Sequence, residues 1–183
     1  MTKKNGNWTI KKTTQKFGND FFKVFEDSVI QPDGKNGKYA TIELVPGVSV
    51  LAIDENDDVY LTKQFRYKAG KETLEVVAGA VEDETPMRAA KRELKEELGI
   101  TAKEFTKLGK IRLDNSIIES ESNLYVARNL KFGESNPDAE EELKRVKISF
   151  REAVEKVMSG KITHAPSCVL ILKAWTEKTE TGS

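Results

Sequence analysis

The stretch TPMRAAKRELKEELGI, residues 85–100, constrains the chain more than any other, because it specifies a helix, its ends and the face it must bury. Thr85 can accept a hydrogen bond as the N-cap, and Pro86 suits the first helical position, where its missing N–H would have no partner anyway. Gly99 closes the segment. At about 100° per residue, Met87, Ala90, Leu94 and Leu98 fall on one stripe that must face a core. Beside that stripe Glu93 and Glu97 stand one turn apart, and Glu96 lies on the adjoining flank with Arg92. The ordinary reading is a charged surface in which Arg92 pairs with Glu96. Two details weigh against it. Glu93 and Glu97 repel at i,i+4, and Glu96 crowds more like charge beside the core edge instead of on the solvent-facing side. A cation would turn that repulsion into binding, and carboxylate oxygens suit Mg2+ or Mn2+, which keep several waters and take phosphate oxygens as further ligands.

Short apolar runs flank this helix in the sequence. FFKVFEDSVI (21–30) and KYATIELV (38–45) lie on either side of the turn-rich QPDGKNG and predict two strands joined by a loop. The first twenty residues, polar and Lys-rich around Trp8, read as an edge strand or a loose arm. GVSVLAI (47–53) and VYLTKQF (59–65) enclose DENDD, whose Asp and Asn side chains favour turns, and predict a hairpin. LEVVAG (74–79) predicts a further strand leading into the helix. NLYVARNL (123–130) and KRVKISF (144–150) predict strands separated by an acidic loop, KFGESNPDAEEEL. Two helices finish the chain: FREAVEKVMSGKI, with Phe150, Ala153, Val154 and Val157 apolar, and a second from Pro166 to Thr176. Residues 177–183 are expected to fray. Helices and strands mix without a βαβ rhythm and without repeats, which favours an α+β sandwich with a small N-terminal antiparallel appendage.

The charge balance narrows the partners. Thirty basic residues offset thirty acidic ones, so no overall positive field draws nucleic acid or an anionic membrane. An anionic substrate must then be held locally, by a few arginines or by bound cations. With 183 residues and 38% hydrophobic content, the chain can bury one sizeable core. The single cysteine, Cys168, excludes an internal disulfide and disfavours a thiolate zinc site, which fits a reducing, cytoplasmic setting. The opening MTKKNGNWTIKK lacks the apolar segment of a secretory signal, and no run approaches membrane-spanning length.

Residues 92–100, Arg-Glu-Leu-Lys-Glu-Glu-Leu-Gly-Ile, match the R-E-U-x-E-E-x-G-U ending of the Nudix box, where U is a bulky aliphatic residue. Glu84 stands eight positions before Arg92, as that motif requires. The full motif, G-x5-E-x7-R-E-U-x-E-E-x-G-U, places its first glycine at Ala78, whereas the nearest glycine, Gly79, is five residues before Glu84. Gln64-Phe65-Arg66 followed by Leu74-Glu75-Val76-Val77-Ala78-Gly79 resembles the Q-x-R and L-E-x-x-A-G elements of the ADP-ribose pyrophosphatase branch of Nudix hydrolases. That alignment makes Gly79 the family glycine and shortens the following loop by one residue. SGKITHAPSCVLILKAW resembles the same branch's step into its final helix, so the resemblance spans roughly residues 40 to 176.

The resemblance implies an α/β/α sandwich with a mixed sheet over residues 39–176, a β appendage over 1–38 that serves dimerisation, and a flexible tail over 177–183. It implies metal-dependent hydrolysis of a nucleoside diphosphate derivative, foremost ADP-ribose to AMP and ribose 5-phosphate. Another nucleotide sugar or a dinucleotide, or nucleotide binding without cleavage, are the alternatives. Glu93, Glu96, Glu97 and the Ala78 carbonyl are the implied ligands of Mg2+ (Mn2+ as substitute), with Arg92 orienting Glu93 or Glu96 and Glu84 in support. The implied general base is Glu141; Glu140, Glu142, Glu119 and Glu121 are its competitors. Arg66, Gln64 and Glu75 are implied substrate contacts. His164, the sole histidine, reads as a turn residue, Cys168 as core, and Trp8, Phe21 and Phe22 as packing or as a stacking surface for a base.

Overall fold

The structure is a computed structural model, and it describes residues 2–135 and 143–181. In chain order its elements are β1 (Lys3–Asn5), β2 (Trp8–Gly18), β3 (Phe22–Ile30), β4 (Asn36–Leu44), β5 (Gly47–Ile53), β6 (Asp58–Arg66), β7 (Lys71–Glu75), β8 (Val77–Ala80), α1 (Pro86–Leu98), β9 (Ile100–Arg112), β10 (Ile118–Glu119), β11 (Glu121–Phe132), β12 (Lys144–Ser149), α2 (Phe150–Met158) and α3 (Ala165–Thr181). They divide into two compact units. The first comprises Met1–Val45 and Arg112–Ser120; the second comprises Pro46–Ile111 and Glu121–Ser183. The expected division at 38/39 therefore moves to 45/46, because β4 completes the first sheet and the excursion after β9 adds β10 to it.

The first unit is a five-stranded sheet in the order β1-β2-β3-β4-β10, antiparallel except for the parallel β4–β10 pair. The N-terminal residues are no loose arm: β2 is an eleven-residue strand paired on both sides, and its two irregularities let it twist over that length. Among the described residues, Val29 is this unit's one buried hydrophobic side chain.

The second unit is built on a seven-stranded mixed sheet whose main path is β12-β6-β5-β11-β9, with β7 paired to β6 and β8 to β5. The β5–β11 pair is parallel, while β5–β6, β5–β8, β6–β7 and β6–β12 are antiparallel. Side chains alternate across a strand, so β5 sends Val48, Val50 and Ala52 to one face and Leu51 and Ile53 to the other. The first set packs with Ala89, Ala90, Leu94 and Leu98 of α1; the second packs with Phe150, Ala153, Leu170, Ile171 and Ala174 of α2 and α3. This is the expected α/β/α sandwich.

Three local expectations change. The strand β9 was not anticipated, since its lysines dilute the apolar alternation; as the end strand of the path it tolerates them. LEVVAG divides into β7 and β8 because the Val76 N–H donates to Ser167 Oγ at 3.0 Å in place of a strand partner. The expected frayed tail is helical through Thr181: Lys178 pairs with Asp57 at 2.7 Å, and the Thr179 hydroxyl donates to the Trp175 and Thr176 carbonyls. The DENDD turn forms as expected, with Asp54 buried and accepting bonds from the Asn56 and Asp58 N–H groups and the Tyr60 hydroxyl. Lys147 closes this cluster on Asp54 and Asp58, at 3.0 Å each.

Candidate active site

The helix α1 forms as its residues dictate. Thr85 caps it by accepting from the Arg88 N–H, and Gly99 ends it at φ 63°, a left-handed conformation that favours glycine. Gly99 is demanded a second time by space, since a Cβ there would press on the backbone of Gly133 and Glu134. Arg145 adds a bond from its guanidinium to the Leu98 carbonyl at 2.8 Å, satisfying one of the last acceptors of the helix. With both ends held and Leu94 and Leu98 fully buried, the azimuth of Glu93, Glu96 and Glu97 is set.

Glu97 lies at the core edge and is only 8% exposed. Glu93 projects onto β8, where a Cβ on Gly79 would overlap its carboxyl group. Gly79 does not occupy a left-handed conformation, so what a larger residue would meet there is the close approach of the Glu93 carboxyl and not a backbone restriction. Gly79 is thus the position on β8 against which the Glu93 carboxyl packs.

Arg92 gathers the surrounding groups. Its Nε donates to Glu84 at 2.8 Å, Nη1 to Glu93 at 2.7 Å and Glu96 at 3.0 Å, and Nη2 to the Ala80 carbonyl at 3.1 Å. Burial works against the charge, but the bonds to Glu84 and Glu96 and the neighbouring Glu93 outweigh it and hold the guanidinium above the ordinary arginine range. The pair at i,i+4 is thus real, and it is one part of a tie joining the strand before the helix, the loop and two helical carboxylates.

A second cluster sits where β6 and β7 pair. Arg66 forks onto Glu75 through Nη2 at 2.8 Å and Nε at 3.3 Å, and the Thr73 hydroxyl donates to the same carboxylate at 2.7 Å. Glu75 is buried, which alone would raise its pKa; the bonds from Arg66 and Thr73 and the charges of His164 and Arg66 bring it below the usual glutamate value. Gln64 lies across from Thr73 in the register and accepts the Thr73 hydroxyl on its carbonyl at 3.4 Å. His164 Nδ1 lies 3.5 Å from Glu75 Oε2 and 2.8 Å from Ser167 Oγ. His164 is thus part of a polar cluster, beyond the turn role expected of it; Thr73 and Ser167 were not anticipated at all. Their signal is weak because Ser167 meets β7 and β8 from 91 residues away.

The remaining expected positions fall as follows. Ala78 is on β8 beside Gly79. Glu121 pairs with Lys110 at 2.8 Å, and Glu119 belongs to the first unit. Glu140, Glu141 and Glu142 lie outside the described residues. Cys168 is partly buried against the core, as expected, and its thiol donates to the Ile162 carbonyl.

A sequence model of the NUDIX domain matches residues 43–167. The chain belongs to the Nudix family. It is 26% identical over 160 residues to an ADP-ribose pyrophosphatase of Bacillus subtilis (strain 168), covering 86% of each chain. A methanol dehydrogenase activator of Bacillus methanolicus is 26% identical over 163 residues, covering 87% of this chain and 88% of the relative. An ADP-ribose pyrophosphatase of Mycobacterium tuberculosis is 26% identical over 149 residues, covering 79% and 72%. A solved structure described as an ADP compounds hydrolase superposes with a TM-score of 0.84 at 21% identity over 98% of both chains, which establishes the shared fold. The protein is a Nudix hydrolase.

Nudix hydrolases generally use divalent metals, and Glu93, Glu96 and Glu97 on α1 carry oxygen donors of the kind a hard cation takes. In the arrangement described, Glu93 and Glu96 are turned to Arg92, and among the described residues no three acidic, histidine or cysteine side chains converge as a ready ligand set.

Proposed function

We propose that the chain hydrolyses the diphosphate of ADP-ribose to AMP and ribose 5-phosphate with Mg2+, Mn2+ serving as substitute. The observation that carries this reading is the packing of Glu93 onto Gly79 with Arg92 tying Glu84, Glu93, Glu96 and the Ala80 carbonyl together, which places the acidic edge of α1 against β8. Glu93, Glu96, Glu97 and the Ala78 carbonyl would hold the cation, which when bound neutralises diphosphate charge and makes water more acidic. Arg92 holds Glu93 and Glu96 in place. Arg66, with its side chain 40% exposed, offers a guanidinium to the diphosphate, and Glu75 and Gln64 shape that contact. Glu141 takes the proton of the attacking water as general base. The oxygen of that water joins one phosphorus, and the bridging P–O bond breaks with the other phosphate leaving.

The chain acts as a homodimer through its first unit, a reading supported by the exposed Phe17 on β2 and Phe21 in the turn before β3, in a unit with little buried apolar surface, and it works in the cytoplasm. No helix among the described residues is long and apolar enough to cross a membrane. Equal identity to an ADP-ribose pyrophosphatase and to a methanol dehydrogenase activator leaves substrate choice to experiment. ADP-ribose, other nucleotide sugars and dinucleotides should be incubated with Mg2+ and scored for AMP release, with ADP-ribose expected to turn over fastest. Glu97→Gln should lower kcat by about a thousandfold, given what loss of a charge-stabilising group costs. Undiminished turnover of that variant would remove the metal-site reading, and undiminished turnover of Glu141→Gln would remove Glu141 as the base.

A further inference from the structure

One ring nitrogen of His164 meets both a buried hydroxyl and a buried carboxylate. Ser167 Oγ accepts the Val76 N–H and still has a second lone pair and its own O–H for His164 Nδ1, 2.8 Å away, so it can partner either protonation state of that nitrogen. In the charged ring both nitrogens carry a proton, so Nδ1, which faces Glu75 Oε2 at 3.5 Å, then presents an N–H to that carboxylate. Ser167 is fully buried and Glu75 nearly so, which keeps these groups in register.

Charge decides which state prevails. In the free protein Glu75 is balanced by Arg66, bound at two nitrogens. An anionic diphosphate at Arg66 would compete for that guanidinium and leave a buried carboxylate short of positive charge, which is costly in a poorly solvated place. A proton on His164 restores the balance without moving the backbone.

We propose that His164 is a positioning residue for Arg66: it takes up a proton from solvent when an anionic diphosphate engages Arg66, and holds the Glu75 carboxylate that Arg66 releases. This rests on the reading that Arg66 contacts the diphosphate. The charged groups facing the ring are Glu75 from β7 and Arg66 from β6. From α3 come Ser167 and Cys168; the Cys168 N–H donates to the His164 carbonyl, and burial pushes its thiol up, keeping it neutral. In the free protein burial lowers the His164 pKa, with Glu75 pulling it up and Arg66 pushing it down. Proton-linked binding therefore tightens as pH falls. The gain is complete below the free-protein pKa, which lies under the ordinary 6.5, and is lost as pH rises through the pKa of the complex.

Because the chain has one histidine, its imidazole Hε1 resonance can be followed by NMR without ambiguity. The titration should be run on the intact protein in EDTA, alone, with saturating ADP-ribose and with inorganic pyrophosphate, binding being measured independently by calorimetry. Occupancy by either probe should raise the histidine pKa by about one unit, equivalent to about tenfold tighter binding to the protonated form. Binding with an unchanged histidine titration would overturn this inference while leaving the function intact. Failure of both probes to bind would overturn the Arg66 contact and this inference with it, whereas turnover assays would still judge the hydrolase reading. In the folded His164→Asn variant, KM should lose its dependence on pH below about 7 with kcat little changed. A pH profile matching the unaltered chain would again overturn the proposal.

Discussion

Arg92 and Arg66 belong to the same unit and both hold carboxylates, but they distribute their charge differently. Arg92 spreads over three glutamates and a carbonyl drawn from the loop and the helix, with each guanidinium nitrogen engaged. Arg66 directs Nε and Nη2 to one buried carboxylate, and that carboxylate has a titratable neighbour in His164. The first arrangement is a brace, because moving any one partner disturbs the others. The second is an exchangeable pair, because a proton on the imidazole can stand in for the arginine.

The largest effect should come from breaking the brace. Arg92→Ala leaves Glu84, Glu93 and Glu96 mutually repelling, so kcat should fall by about a hundredfold and unfolding in urea should show a loss of about 2 kcal/mol. A loss confined to KM would mean that Arg92 contacts substrate and does not brace the carboxylates. Gly79→Ala tests the same centre by steric means: Glu93 can swing its flexible end away, so kcat should drop about tenfold while stability changes by less than about 1 kcal/mol. At the other centre, Arg66→Gln should raise KM about tenfold and leave kcat within a factor of about three. The same substitution should move the histidine titration upward, because it removes the charge that pushes His164 down.

The smallest effects are those of pH on stability, and their windows separate the two members of the Glu75–His164 pair. His164 has a folded pKa below its unfolded value, so the unfolded chain binds more protons and stability falls as pH drops below 6.5. Glu75 is also depressed, so its contribution is fully present above 4.5 and is lost as pH falls through the folded value. Urea unfolding between pH 3 and 8 should show both declines, about 1 kcal/mol or less each. His164→Asn should remove the upper one, and Glu75→Gln the lower.

Part of the brace was legible in the sequence because helical spacing brings Arg92 to Glu96 at i,i+4, and a cap and a glycine mark the ends; the bond to the adjacent Glu93 does not follow from spacing. The motif spacing marked Glu84 only in a supporting role, and its bond to Arg92 emerged with the structure. The second centre was legible only in fragments: Arg66 and Glu75 were singled out, but their mutual bond depends on the β6–β7 register, and His164 and Ser167 arrive from the start of α3. The β9 strand escaped notice for a related reason, since an end strand need not carry a strong apolar alternation.

Short-range periodicity and capping therefore determined the acidic helix and its buried stripe, since these depend on residues within a few turns of one another, and the spacing of its motif residues carried the resemblance to the Nudix family. Tertiary structure decided which residue packs against Gly79, where the first sheet ends and which partner His164 meets. Each of those depends on the approach of segments far apart in sequence, where burial and charge compensation act between groups that no local pattern connects.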